Sequence, residues 1–151
     1  YMKEPRHEAG GADLDNARIH LEQCGASVVL CRDTDLIEKY QRGIFPLLEL
    51  LEDGADHTGY SAADKIVGRA AAFLFVRLGV RAVYGAVMSK GAVSVLSEHG
   101  IAAEYSTLTE GVRNRAGTGS CPMELAVQGI ADPAEAYAAL RRKADELRGK
   151  R

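Results

Sequence analysis

The sequence predicts an α/β domain in which a mixed β-sheet begins with a β-hairpin and is covered by helices on both faces, as a three-layer α/β/α sandwich. Two segments of β-forming residues, 26–31 and 36–40, flank turn residues at 33–35 and predict the hairpin. Beyond the hairpin, helical patterns alternate with short apolar strands, which is typical of parallel crossovers. The chain has 151 residues, 46% of them hydrophobic, which suits one domain with a substantial core.

Local signals delimit the elements in chain order. Residues 1–11 are polar and predict a disordered leader, and residues 12–148 form the single domain. Helix starts are indicated by cap residues and by proline at the first helical position. The predicted elements are a helix from Leu14 to Cys24, the hairpin, a helix over 43–51, a helix from Ser61 to Leu78, a strand over 81–88, a helix from Ser89 to His99, a strand over 101–105, a loop over 106–120 with a short strand near Val112, and helices beginning at Pro122 and Pro133.

Composition excludes several classes of protein. The net charge of −2, from 19 basic and 21 acidic residues, argues against a nucleic-acid binder, which normally has a basic excess. No apolar run approaches the roughly 18 residues of a membrane span, and no apolar segment typical of a signal peptide follows residue 1. The three cysteines have no disulfide-framework spacing. We therefore expect a reduced, cytoplasmic protein that contacts neither nucleic acid nor membrane and has no cofactor.

Residues 117–124, GTGSCPME, are the first candidate for chemistry. Pro122 at the first helical position makes Cys121 the cap, where the helix dipole and free N–H groups favour a thiolate. The same amides suit a phosphate or carboxylate. The alternative is a tight turn with an inert cysteine. The candidate ligand-binding residues of this segment are Thr118, Gly119, Ser120 and Glu124.

A second candidate is the predicted helix start at Ser61. Asp64 in its first turn suits a catalytic acid or base, and Lys65 suits an anion. Alternatively Asp64 only complements the helix dipole and Lys65 is solvated. Gly68 indicates close packing or close approach of a ligand. Arg113, in the loop before Cys121, suits a phosphate or carboxylate or is simply solvated.

The remaining cysteines and histidines are weaker candidates. Cys24 shares the spacing of the apolar face of the first helix and is expected to be buried, as is Cys31 on its strand. Cys121 is therefore predicted to be the most reactive thiol. His57 is expected in a solvated loop, and His20 has no evident metal-ligating partner.

Three segments, 63–71, 83–90 and 117–124, resemble a bacterial and archaeal family of unknown function that is related in fold to cytidine deaminases. The resemblance covers residues 26–140 and implies a three-layer α/β/α sandwich. Zinc deaminases carry His-x-Glu or Cys-x-Glu at one helix start and Pro-Cys-x-x-Cys at another. Here the predicted helix start at Ser61 has neither His nor Cys, and the helix start at Pro122 has only Cys121. The resemblance therefore implies the deaminase arrangement without zinc and without cytidine deamination.

These observations predict that two helix N-termini converge at one edge of the sheet and bind a nucleotide-like or other anionic small molecule. Cys121 is the candidate nucleophile there. The alternative is a non-catalytic regulatory or interaction module, with a homodimer as its expected assembly.

Overall fold

The chain forms an α/β structure around a five-stranded mixed sheet in a computed structural model that describes residues 9–112 and 121–149. The strand order in the sheet is β2-β1-β3-β4-β5. In chain order the elements are α1 (Ala9–Cys24), β1 (Val28–Arg32), β2 (Asp35–Lys39), α2 (Phe45–Asp53), β3 (Ser61–Val67), α3 (Arg69–Leu78), β4 (Ala82–Ser89), α4 (Lys90–Glu98), β5 (Ala102–Thr109), α5 (Pro122–Ala126) and α6 (Pro133–Leu147).

The predicted hairpin is present as antiparallel strands β1 and β2, paired from Val28 with Lys39 to Arg32 with Asp35. Asp33 in the turn has a φ of 55°, a left-handed conformation that aspartate tolerates better than most residues. Its N–H donates to Oδ1 of Asp13 at 3.0 Å, which ties the turn to α1.

Strands β3, β4 and β5 are parallel neighbours joined by α3 and α4. Their carboxyl ends therefore lie at one edge of the sheet, where crossover helices begin and where ligands of such sheets usually bind. Ser89 caps α4 as predicted, since its Oγ accepts a hydrogen bond from the N–H of Ala92 at 3.0 Å. Asp132 likewise caps α6 through the N–H of Glu135.

The predicted helix start at Ser61 is wrong. Ser61–Val67 is the central strand, antiparallel to β1 on one side and parallel to β4 on the other. Residues 61–64 of this strand are all buried, so this part lacks the polar–apolar alternation that marks a half-buried strand, and its small apolar residues resemble a helix in the sequence. The helix begins only at Arg69, after Gly68 as N-cap.

Two further boundaries differ from the prediction. Helix α1 begins at Ala9, so residues 9–11 are helical, while residues 1–8 lie outside the described part. Strand β5 runs to Thr109, beyond the predicted end at residue 105. The structure shows no strand at Val112, and residues 113–120 lie outside the described ranges.

Two clusters of apolar side chains form the core. Val28 and Leu30 of β1 belong to the larger cluster, with helices α2, α3 and α6, whereas Val29 and Cys31 belong to the smaller one. Because successive side chains of a strand point to opposite faces, the clusters contact opposite faces of β1. Helix α1 covers the smaller cluster with Leu14, Ala17 and Leu21, the apolar spacing seen in the sequence.

None of the helices within residues 9–112 and 121–149 is long and apolar enough to cross a membrane.

Candidate functional site

The N-terminus of α3 meets the first turn of α5 at the carboxyl edge of the sheet. Glu124 reaches across 54 and 55 residues of sequence and accepts two backbone hydrogen bonds. The N–H of Arg69 donates to Oε1 at 3.0 Å and the N–H of Ala70 donates to Oε2 at 2.8 Å. The N-terminus of α3, at Arg69, therefore adjoins that of α5, whereas the sequence analysis placed the adjoining helix start at Ser61. The first N–H groups of α3 are already satisfied by the chain's own carboxylate.

Gly68 makes this contact possible because it has no side chain. A Cβ atom there would lie 2.6 Å from Oε2 of Glu124 and 2.7 Å from Cγ2 of Val112. Both separations are too short for real atoms, so a larger residue would have to displace both neighbours. Gly68 thus provides the close packing that its position in the sequence indicates.

Cys121 lies beside this contact as the N-cap residue of α5, three positions before Glu124. Its backbone N–H donates to the carbonyl oxygen of Val112 at 3.1 Å, and its side chain is half-buried against the larger core cluster. Helix α5 has only five residues, so its dipole is weaker than that of a longer helix. The other predicted residues of this region, Arg113, Thr118, Gly119 and Ser120, lie outside the described residues.

Asp64 lies within strand β3 and not at a helix N-terminus. It pairs with Val28 on one side and Gly85 on the other, and its Oδ1 accepts a hydrogen bond from the N–H of Ile66 at 3.4 Å. Only 7% of the residue is exposed, and this burial raises the pKa of its carboxyl group to about 7. Lys65, its neighbour in sequence, is exposed. Asp64 is therefore a group that can hold or release a proton near neutral pH.

Two cations lie near the same edge. Arg69 donates from Nη2 to the carbonyl oxygen of Ile130 at 2.6 Å, and its guanidinium lies 5.1 Å from the ring centroid of Phe73. Lys90, at the start of α4, forms an ion pair of 2.7 Å with Glu110. Neither residue is among those predicted from the sequence to form a site, although each directly follows the N-cap residue of a helix.

Cys24 and His57 differ from their predicted environments, whereas Cys31 is buried as predicted. Cys24 is exposed, Cys31 is buried and Cys121 is intermediate, so the predicted burial of Cys24 is wrong. Cys24 is the last residue of α1 and lies outside the smaller core cluster. His57 is only 5% exposed and packs edge-on against Tyr60 with ring centroids 5.6 Å apart, so it is not solvated.

A groove of about 340 Å³ lies between α5 and α6. Its lining includes Pro122, Leu125, Arg142 and Lys143, and none of these is a candidate site residue predicted from the sequence. We place the candidate site at the Glu124 contact because polar groups converge there on a helix N-terminus.

The sheet and its edge define an α/β protein whose candidate site lies where parallel strands end and helices begin. The chain belongs to the DUF1893 family, a domain of unknown function, whose family model matches residues 16–144. A crystal structure of a DUF1893 family protein from Thermotoga maritima is similar to it, with 25% sequence identity and a TM-score of 0.82. The similarity covers 94% of this chain and 97% of that chain. No curated protein matches the chain.

Proposed function

We propose that the carboxyl edge of the sheet binds an anionic small molecule, of the nucleotide-like or carboxylate class, through the N-terminus of α3. The observation that carries this proposal is the pair of hydrogen bonds from Arg69 and Ala70 to Glu124. Two adjacent N–H groups at the start of a ten-residue helix that bind both oxygens of a carboxylate form an oxyanion site. A phosphate or carboxylate of a ligand would replace Glu124, and the charges of Arg69 and Lys90 would favour it.

The remaining candidate residues complete this proposal. Cys121 is the proposed nucleophile, because it is partly accessible and lies three residues before Glu124. Asp64 is the proposed proton-transfer group, because its pKa lies near neutrality. Lys65, Arg113, Thr118, Gly119 and Ser120 are proposed to contact the ligand, within a cytidine deaminase-like three-layer sandwich.

The zinc of the deaminases does not fit this edge. Catalytic zinc needs three protein ligands, and the residues described here at the two helix starts supply one cysteine and no histidine. We therefore propose no zinc-dependent deamination at this site.

The proposal is tested by removing the internal carboxylate. Glu124→Ala loses two charge-assisted hydrogen bonds, so we expect its free energy of unfolding to fall by roughly 2 kcal/mol. Inorganic phosphate should then enter the vacated site and restore about 1.4 kcal/mol at ten times its dissociation constant. Thermal and urea unfolding with and without phosphate measure both effects.

The matched control is Glu146→Ala, which removes an exposed carboxylate of α6. Phosphate should stabilise Glu124→Ala more than Glu146→Ala, and it should slow the alkylation of Cys121 by iodoacetamide without affecting Cys24. Equal responses of the two variants to phosphate would show that Glu124 is only a structural cap of α3.

One observation favours the alternative of an interaction module. Strand β5 is an edge of the sheet and pairs with β4 alone among the described strands. It carries Tyr105 and Leu108 with 43% and 40% of their surface exposed, and Ile66 on β3 is 54% exposed. An unpaired edge with exposed apolar side chains is suited to pairing with a second copy of the chain.

A further inference from the structure

Three side chains with metal-ligating atoms meet where α1 crosses the β1–β2 hairpin. His20 and Cys24 are four residues apart and lie on one face of α1, one turn from each other. Glu38 lies on β2 and brings its carboxylate to the imidazole, with 3.1 Å between Oε2 and Nδ1. Sγ of Cys24 lies 3.5 Å from the same Nδ1, and the three ligand atoms all lie within 4.8 Å of one another.

These separations match the edges of a tetrahedral zinc site. With ordinary zinc–sulfur, zinc–nitrogen and zinc–oxygen bonds, the sulfur–nitrogen edge is about 3.6 Å and the nitrogen–oxygen edge is about 3.4 Å. The observed distances of 3.5 and 3.1 Å differ from these values by a few tenths of an ångström. Small side-chain adjustments would therefore bring the three atoms to bonding distance of one ion.

The chemistry of the three groups is also that of a zinc site. Imidazole, thiolate and carboxylate are the ligands that zinc takes in proteins. The second oxygen of Glu38, Oε1, accepts a hydrogen bond from the hydroxyl of Tyr40 at 3.1 Å, which orients the carboxylate as outer partners of metal ligands do. Cys24 is exposed, so an ion can reach the three groups from solvent.

We propose that His20, Cys24 and Glu38 bind one zinc ion, with a fourth position open to water, and that the ion links α1 to the hairpin. The site is distinct from the Glu124 contact and shares no residue with it. The sequence alone does not indicate this site, because His20 shows no evident metal-ligating partner there and Glu38 joins it only through folding. Two ligands on α1 and one on β2 would join the helix to the hairpin, and a three-residue ligand set would leave one coordination position exchangeable.

The test uses the full chain, stripped of metal with a chelator and titrated with zinc chloride by calorimetry. We expect about one zinc ion per chain, a higher melting temperature with zinc, and reversal by EDTA. Cobalt(II) in place of zinc should give a thiolate-to-metal charge-transfer band. Cys24→Ser and Glu38→Gln should each lose zinc binding. Cys24→Ser should also lose the cobalt charge-transfer band. Tyr40→Phe should bind zinc roughly 10-fold more weakly than the wild type.

The matched control is Cys121→Ser, which should bind zinc as the wild type does. Because Cys24 is exposed, its replacement should leave the fold stable in the absence of metal. Zinc binding that survives Cys24→Ser and Glu38→Gln, a cobalt complex without the charge-transfer band, or loss of zinc in Cys121→Ser would each overturn the proposal. Failure here leaves the anion site untouched, because phosphate binding is measured in metal-free protein.

Discussion

Asp64 shows how burial changes the chemistry of a single residue. Its carboxyl group lies in the central strand, where burial raises its pKa from an ordinary 3.8 to about 7. Between about pH 4 and pH 7, the folded state therefore keeps a proton on Asp64 that the unfolded chain has already released. Folding stability attributable to Asp64 is greatest at low pH and falls as the pH rises from about 4 to about 7.

Asp64→Asn should remove this pH dependence. The amide resembles the protonated carboxyl in shape and keeps an oxygen for the N–H of Ile66. The wild type should lose stability relative to the variant by on the order of 4 kcal/mol between pH 4 and pH 7, since one pKa unit corresponds to about 1.4 kcal/mol. Urea unfolding of both proteins across this range measures the difference.

Carboxylates with lowered pKa values, such as Glu38 and Glu49, have the opposite effect on stability but are present in both proteins, so their contribution cancels. Asp53→Asn, which removes an exposed carboxylate at the end of α2, is the control. Parallel pH profiles of wild type and Asp64→Asn would contradict the assignment of a raised pKa to Asp64.

At the scale of elements, the junction between β3 and α3 depends on the absence of a side chain at Gly68. Gly68→Ala should destabilise the protein by about 1–3 kcal/mol, because the new Cβ overlaps both Glu124 and Val112. Chemical denaturation gives the free energy of unfolding. Gly111→Ala is the matched control, because a Cβ there meets no atom of residues 9–112 and 121–149 within 4 Å.

The cost of Gly68→Ala should also be smaller in the Glu124→Ala background, since one of the two overlapping groups is then gone. A cost that is the same in both backgrounds would place the strain at Val112 alone. A cost equal to that of Gly111→Ala would exclude tight packing at this junction.

At the scale of the whole molecule, the edge strand β5 is suited to self-association. Leu108→Lys places a charge on β5, which natural edge strands use to prevent pairing. We expect a wild-type homodimer that becomes monomeric in this variant. Leu147→Lys on α6, which changes a leucine that is 52% exposed, should remain dimeric. Light scattering coupled to size-exclusion chromatography measures the masses; a monomeric wild type, or equal masses for both variants, would exclude assembly through β5.

The sequence by itself determined the elements whose signals are local. The hairpin, the caps at Ser89 and Asp132, and the helix starts at Pro122 and Pro133 depend on residues within about four positions of each other, and they are where the sequence predicts them. The family of unknown function was likewise recognisable from short segments.

Only the tertiary structure decided the identity of β3 and the composition of the sites. Ser61–Val67 is a strand because β1 and β4 pair with it on both sides, and no pattern within seven residues records that pairing. Glu124 meets Arg69 across 55 residues, and Glu38 meets His20 across 18. Such contacts arise from the packing of elements that are distant in the chain, so local propensities and spacings carry no information about them.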